Sequence, residues 1–231
     1  MIKNMLRAST ALLLALAPLT LPTPAGATPF AARTATAPAA AVLPLADAVE
    51  QIPLADEFRT GYTRDSFRHW NTGLYPADGC NTRAEVLLDE AVEAPAVAAD
   101  CKLSGGRWIS YYDAAEVTDP GKLDIDHMVA LAEAWDSSAG AWTAQRREAY
   151  ANDQGATTSL VAVTARSNRA KADRDPAEWM PPLPEAHCRY VGEWTATKLR
   201  WGLAADQAEA DALKVYAEAC ETTIVHYTPA P

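Results

Sequence analysis

Leu123-Asp124-Ile125-Asp126-His127 and, some forty positions later, Ser159 to Lys171 (SLVAVTARSNRAK) decide how this chain is read. In the first stretch apolar and acidic residues alternate with the period of a half-buried strand. It ends on a carboxylate followed at once by an imidazole. The second opens as a short strand, Leu160 to Val163, and runs into a polar helix start that carries Asn168, Arg169 and Lys171. Two strands and a helix that gather a carboxylate, an imidazole, a carboxamide and two cations supply what metal-assisted phosphodiester cleavage needs.

Working outward, Pro120-Gly121 marks a turn before the first stretch, which spans about 123–129 as a strand leading into a helix. Cys101 to Ser104, the Gly105-Gly106 loop and Arg107 to Tyr112 predict a β-hairpin. Thr82-Arg83-Ala84-Glu85 has the pattern of a capping box and predicts a helix over 82–93. Between the two key stretches, TAQRREAY predicts a short amphipathic helix capped by Thr143. Beyond them, Asp175-Pro176 starts a helical turn that Pro181-Pro182 stops. Two longer helices are expected over 187–202 and 206–220, the second opened by Asp206 with Glu209.

The N-terminus reads as an address. Lys3 and Arg7 precede an apolar run, Ala11 to Leu21, and Ala25-Gly26-Ala27 has the small residues of a cleavage site, so 1–27 is expected to be a signal peptide and the protein to be secreted. Pro18 breaks the apolar run, which is shorter than the roughly 20 residues of a spanning helix, so no stable membrane anchor is expected. Residues 28–54, rich in Ala, Pro and Thr, predict a flexible linker. A folded domain over 55–222 and a C-terminal tail over 223–231 follow. Losing Lys3 and Arg7 turns 20 basic residues into 18 against 30 acidic ones, a balance of −12. That sign excludes a non-specific nucleic-acid coat and requires any phosphate-binding cations to be gathered locally. Four cysteines in an exported chain predict two disulfides. Of the three pairings, the local ones, Cys80–Cys101 and Cys188–Cys220, are favoured, each worth roughly 3–4 kcal/mol of loop entropy. A four-cysteine zinc site lacks any CxxC spacing in its support.

DIDHMVAL followed by SLVAVTARSNRAKADRDP resembles the His-Asn-His (HNH) branch of the ββα-metal nucleases. It is similar in particular to secreted bacterial HNH proteins and to the HNH domain of CRISPR effector nucleases, over most of residues 60–220. The resemblance implies an α+β fold with a ββα-metal core elaborated by helices and stapled by the two disulfides. It implies a monomeric endonuclease acting on nucleic acid, DNA first and RNA second. His127 would be the general base, an imidazole suiting neutral pH. Asp126 and Asn168 would share one divalent cation, Mg²⁺ or Mn²⁺, through oxygen. Arg169 and Lys171 would hold phosphate, with Arg83 and Arg166 as further candidates. Where the family carries an Asn bracing the loop around the histidine, this chain has Ser159, which offers a hydroxyl in place of an amide. The rival expectation is a relative that binds nucleic acid or another anionic polymer without turnover. A lone histidine is more often structural, and His69, His187 and His226 are read so. The sequence leaves open whether Asp124 joins the site, and offers Trp108 or Trp135 as surfaces for stacking a base.

Overall fold

AVLPLADAVEQI, residues 41–52, is where the structure first departs from the sequence reading. The computed structural model describes residues 39–231, so the expected signal peptide and residues 28–38 lie outside the described residues. From Ala41 the chain forms β1 (Ala41–Pro44) and then α1 (Leu45–Val49). Leu45, Ala48, Val49 and Ile52 are buried. Their i, i+3, i+4, i+7 spacing is an apolar helical stripe, and burying it offsets the entropy of ordering an Ala-rich segment. The flexible linker expected up to residue 54 therefore does not extend past Ala40.

α2 (Thr82–Asp89) is shorter than expected and is capped by Asn81, whose side chain accepts from the Ala84 N–H at 2.9 Å. Glu85 does not close a capping box. It is buried and accepts from the Leu74 and Tyr75 N–H groups. β2 (Ala96–Val97) pairs antiparallel with β3 (Leu103–Ser104), and β4 (Trp108–Ser110) with β5 (Ala115–Val117). The hairpin expected across Gly105-Gly106 is thus absent, because each arm takes a different partner. Both glycines have positive φ, 65° and 87°, and carry the chain out of one ladder toward the next.

β6 (Leu123–His127) is followed by α3 (Leu131–Asp136), then by α4 (Ala144–Ala151), whose Thr143 cap accepts from the Arg146 N–H. β7 (Leu160–Thr164) runs directly into α5 (Ala165–Lys171). α6 (His187–Trp201) and α7 (Gln207–Ala219), the latter capped by Asp206, complete the helices. β8 (Ile224–Tyr227) pairs with β1, Ala41 opposite Tyr227, so the expected tail is a strand from Ile224 to Tyr227.

β6 and β7 form an antiparallel ladder from Leu123 opposite Thr164 to His127 opposite Leu160. Cross-strand partners share a face. Leu123, Ile125, Leu160 and Ala162 pack with Val86, Leu87 and Trp108 in a smaller core. Val161 and Val163 face the larger core, with Tyr112, Tyr190 and Trp194. Each fully buried Leu or Val side chain contributes roughly 1.5–3 kcal/mol. A one-residue slip would exchange both faces at once, and this fixes the register. The fold is mixed α and β, and both expected disulfides, Cys80–Cys101 and Cys188–Cys220, are present. The second ties the start of α6 to the end of α7. No helix among the described residues is long and apolar enough to cross a membrane.

Candidate functional site

An open cleft of about 510 Å³ is lined by Arg64, Ile125, Asp126, His127, Asn168 and Arg169, with Tyr62 and Asp173 at its rim. Ile125, Asp126 and His127 alternate between the two faces of β6, yet all three reach the cleft, as residues do where a cleft runs along a strand's edge. The other edge of β6 is taken by β7. α5 follows β7 without a loop, so Asn168 and Arg169 arrive within one or two turns of the ladder.

His127 is 6 % exposed. Its Nε2 lies 2.9 Å from the Ala151 carbonyl oxygen. A carbonyl only accepts, so Nε2 carries the proton and the neutral ring keeps its lone pair on Nδ1. Nδ1 has no hydrogen-bond partner among the described residues. Trp70 stacks on the imidazole, centroids 5.4 Å apart and planes 24° from parallel, and Tyr150 lies stacked at 6.5 Å. Burial holds the His127 pKa far below the ordinary imidazole value, at about 3; the Ala151 carbonyl opposes this, and His69 and Arg64 add to it. The ring is therefore neutral across the physiological range. The His69 ring stands 6.2 Å away, with Nδ1 against the Phe67 carbonyl.

Asp124 and Asp126 point to the face opposite His127, toward α5. Asp126 is buried, and its Oδ2 accepts from the Tyr112 hydroxyl at 2.5 Å and the Lys171 ammonium at 2.6 Å. Lys171 is fully buried and also donates to the His127 and Met128 carbonyls at 2.9 and 2.8 Å. Desolvation pushes the Asp126 carboxyl up and the Lys171 ammonium down, while their mutual attraction opposes both shifts. Asn168 donates through Nδ2 to Asp124 Oδ2 at 3.3 Å, and Arg169 Nε lies 3.3 Å from the same oxygen.

The expected phosphate contacts divide. Arg169 is exposed in the cleft. Lys171 has every donor engaged in the interior. Arg83 is spent on the Pro120 and Leu123 carbonyls, bracing the entry to β6. Arg166 is exposed but does not line the cleft. Arg64 does, and no sequence pattern announced it. Trp108 is core, donating to the Leu87 carbonyl, and Trp135, packed against Tyr62 and Phe67, does not itself line the cleft. Ser159 is buried and bonds Asp153 Oδ2 at 2.7 Å, while its carbonyl accepts from the Met128 N–H at 3.0 Å. The loop after His127 is thus pinned through the backbone of residue 159. Asp153 is anchored in turn by Arg200, at 2.7 and 2.8 Å, and by the Trp201 indole.

The donor set suits a hard cation. Asp126 Oδ1 and the Asn168 amide oxygen have no hydrogen-bond partner among the described residues, and both residues face the cleft. Asp124, 28 % exposed at its side chain, lies beside Asn168. The Lys171 ammonium on the other oxygen of Asp126 lowers the negative charge there.

A family model described as GmrSD restriction endonucleases, C-terminal domain, matches residues 61–214. An "Uncharacterized secreted protein" of Arthroderma benhamiae is 39 % identical over 160 residues, which are 69 % of this chain and 76 % of that protein. No solved structure matches the chain.

Proposed function

The chain belongs to the family of the GmrSD restriction endonuclease C-terminal domain, and from that premise we propose that it is a secreted, metal-dependent endonuclease of the HNH type that hydrolyses phosphodiester bonds of DNA. The observation that carries the reading is the convergence of Asp126 and His127, from β6, and Asn168 and Arg169, from the helix that follows its partner strand β7, on one cleft. A ladder of two strands leading into a helix fits a ββα core. Residues 1–27 are proposed as the export signal and the two disulfides agree with it.

In this reading His127 is the general base. Nε2 stays committed to the Ala151 carbonyl, which fixes the tautomer, and Nδ1 accepts the proton of the water that attacks phosphorus. Trp70 and Tyr150 hold the ring plane, so little reorganisation is needed. Asp126 and Asn168 would hold a divalent cation, Mg²⁺ or Mn²⁺, with Asp124 near enough to orient the Asn168 amide. Bound there, the cation would neutralise charge developing on the phosphate and the departing oxygen. Arg64 and Arg169 contact the non-bridging phosphate oxygens. An anionic phosphate beside His127 also stabilises the imidazolium that forms, which strengthens a base weakened by burial.

Plasmid nicking tests the reading. Cleavage is expected in Mg²⁺, is lost in EDTA, and falls by a factor of about 10²–10⁴ in His127→Ala. Equal nicking in all three tubes overturns it. The Lys171–Asp126 ion pair favours a second reading, in which the cleft binds nucleic acid without cutting. A gel shift with intact plasmid, unaffected by His127→Ala, distinguishes that case.

A further inference from the structure

Glu57, Glu133 and Asp136 bring one carboxylate oxygen each to within 4.8 Å of one another, outside the cleft. Glu133 and Asp136 lie three residues apart on α3 and so share a helix face. Glu57 reaches them from the exposed segment before residue 60. Asp136 is 5 % exposed; its Oδ2 takes the Arg59 guanidinium at 2.5 Å, but its Oδ1 is buried with no partner. A buried carboxylate oxygen left unpaired costs about 1–3 kcal/mol or more, so this atom calls for a positive partner. The nearby cations are already shared. Arg59 is divided between Asp136 and Asp173, and Lys198 between Glu133 and Glu209. With Glu57, five carboxylates face two cations.

We propose that Glu57, Glu133 and Asp136 form a calcium site that fastens the N-terminal segment to α3. The donors are all oxygen, which suits a hard cation and disfavours zinc or copper. Three carboxylate oxygens within 4.8 Å of one another can reach one ion, and three carboxylates in an irregular arrangement suit Ca²⁺, which takes mono- and bidentate carboxylates in flexible geometry, whereas Mg²⁺ takes one or two and demands a near-ideal octahedron. Three protein carboxylates leave the remaining positions to water. The affinity then belongs to the weak class of extracellular modules, on the order of 10⁻⁴–10⁻³ M. The site does not depend on the nuclease reading.

The test uses the full chain, stripped with EDTA and titrated with Tb³⁺ under tryptophan excitation, since Trp135 adjoins Asp136 in sequence. Sensitised emission is expected, displaced by Ca²⁺ at lower concentration than by Mg²⁺. In 5 mM Ca²⁺ the melting temperature should rise by about 3–8 °C. Glu57→Gln changes only an exposed side chain and should remove this site's share of both signals with the fold intact, as should Asp136→Asn. Asn168→Ala removes any ion held in the cleft, and the emission and melting shift that remain in it, lost again when Glu57→Gln is added, belong to this site. Emission and melting shift unchanged in Glu57→Gln, or a wild-type chain whose melting temperature ignores Ca²⁺, would overturn the proposal.

Discussion

Lys171 lies three residues past Asn168, and its ammonium, fully buried, is held by Asp126 and two backbone carbonyls. A lysine near the end of a polar helix reads in sequence as a solvated phosphate ligand, and nothing local reveals that α5 lays it into the interior. Lys171→Met leaves the buried Asp126 without its counter-charge and should cost about 3–5 kcal/mol in urea denaturation. Adding Asp126→Asn should recover part of that loss; a double variant less stable than the single would contradict the pairing. His127 carries a second consequence. Its folded pKa, about 3, lies below the unfolded value near 6.5. Above 6.5 both states are neutral, and no pH dependence arises from this group. As pH falls from 6.5 toward 3 the unfolded imidazole gains a proton that the folded one refuses, so stability drops by about 1.4 kcal/mol per unit. Unfolding midpoints at pH 7 and pH 5 should therefore differ less in His127→Asn than in the parent. The common placement of His127, Asp126 and Asn168 on one cleft was legible because motif and strand alternation set them there. Arg64 and Trp70, from the segment between α1 and α2, and Tyr112, from the turn between β4 and β5, reach the site with no signature.

The β6–β7 ladder and α4, α6 and α7 follow closely from period and capping residues, since alternation and Thr143 or Asp206 are local signals. Failures came where tertiary pairing overrode a local pattern. Gly105-Gly106 suits a two-residue loop, but the strands beside it pair outward with 96–97 and 115–117. Leu45, Ala48, Val49 and Ile52 do show a helical period, masked by a composition like that of the residues before it. The Cys188–Cys220 bridge joins helix ends 32 positions apart. Replacing both cysteines with alanine should cost about 2–4 kcal/mol and lower the melting temperature by about 4–16 °C. An unchanged melting curve would mean that the contacts between α6 and α7 suffice without it.

Across the whole molecule, acidic residues outnumber basic ones, 30 to 20, while Arg64 and Arg169 stand exposed at the cleft. Two phosphate contacts predict a shallow dependence of binding on salt. Between 50 and 200 mM the apparent KM for plasmid should rise about tenfold, not the 10³–10⁵ of a protein with six to ten such contacts. A steep slope would reveal a basic surface that the cleft does not contain. The pairing of β1 with β8 sets Ala41 beside Tyr227. The domain therefore enters and leaves at neighbouring points, so a few residues could close it into a ring or graft it into a surface loop of a host protein without stretching either.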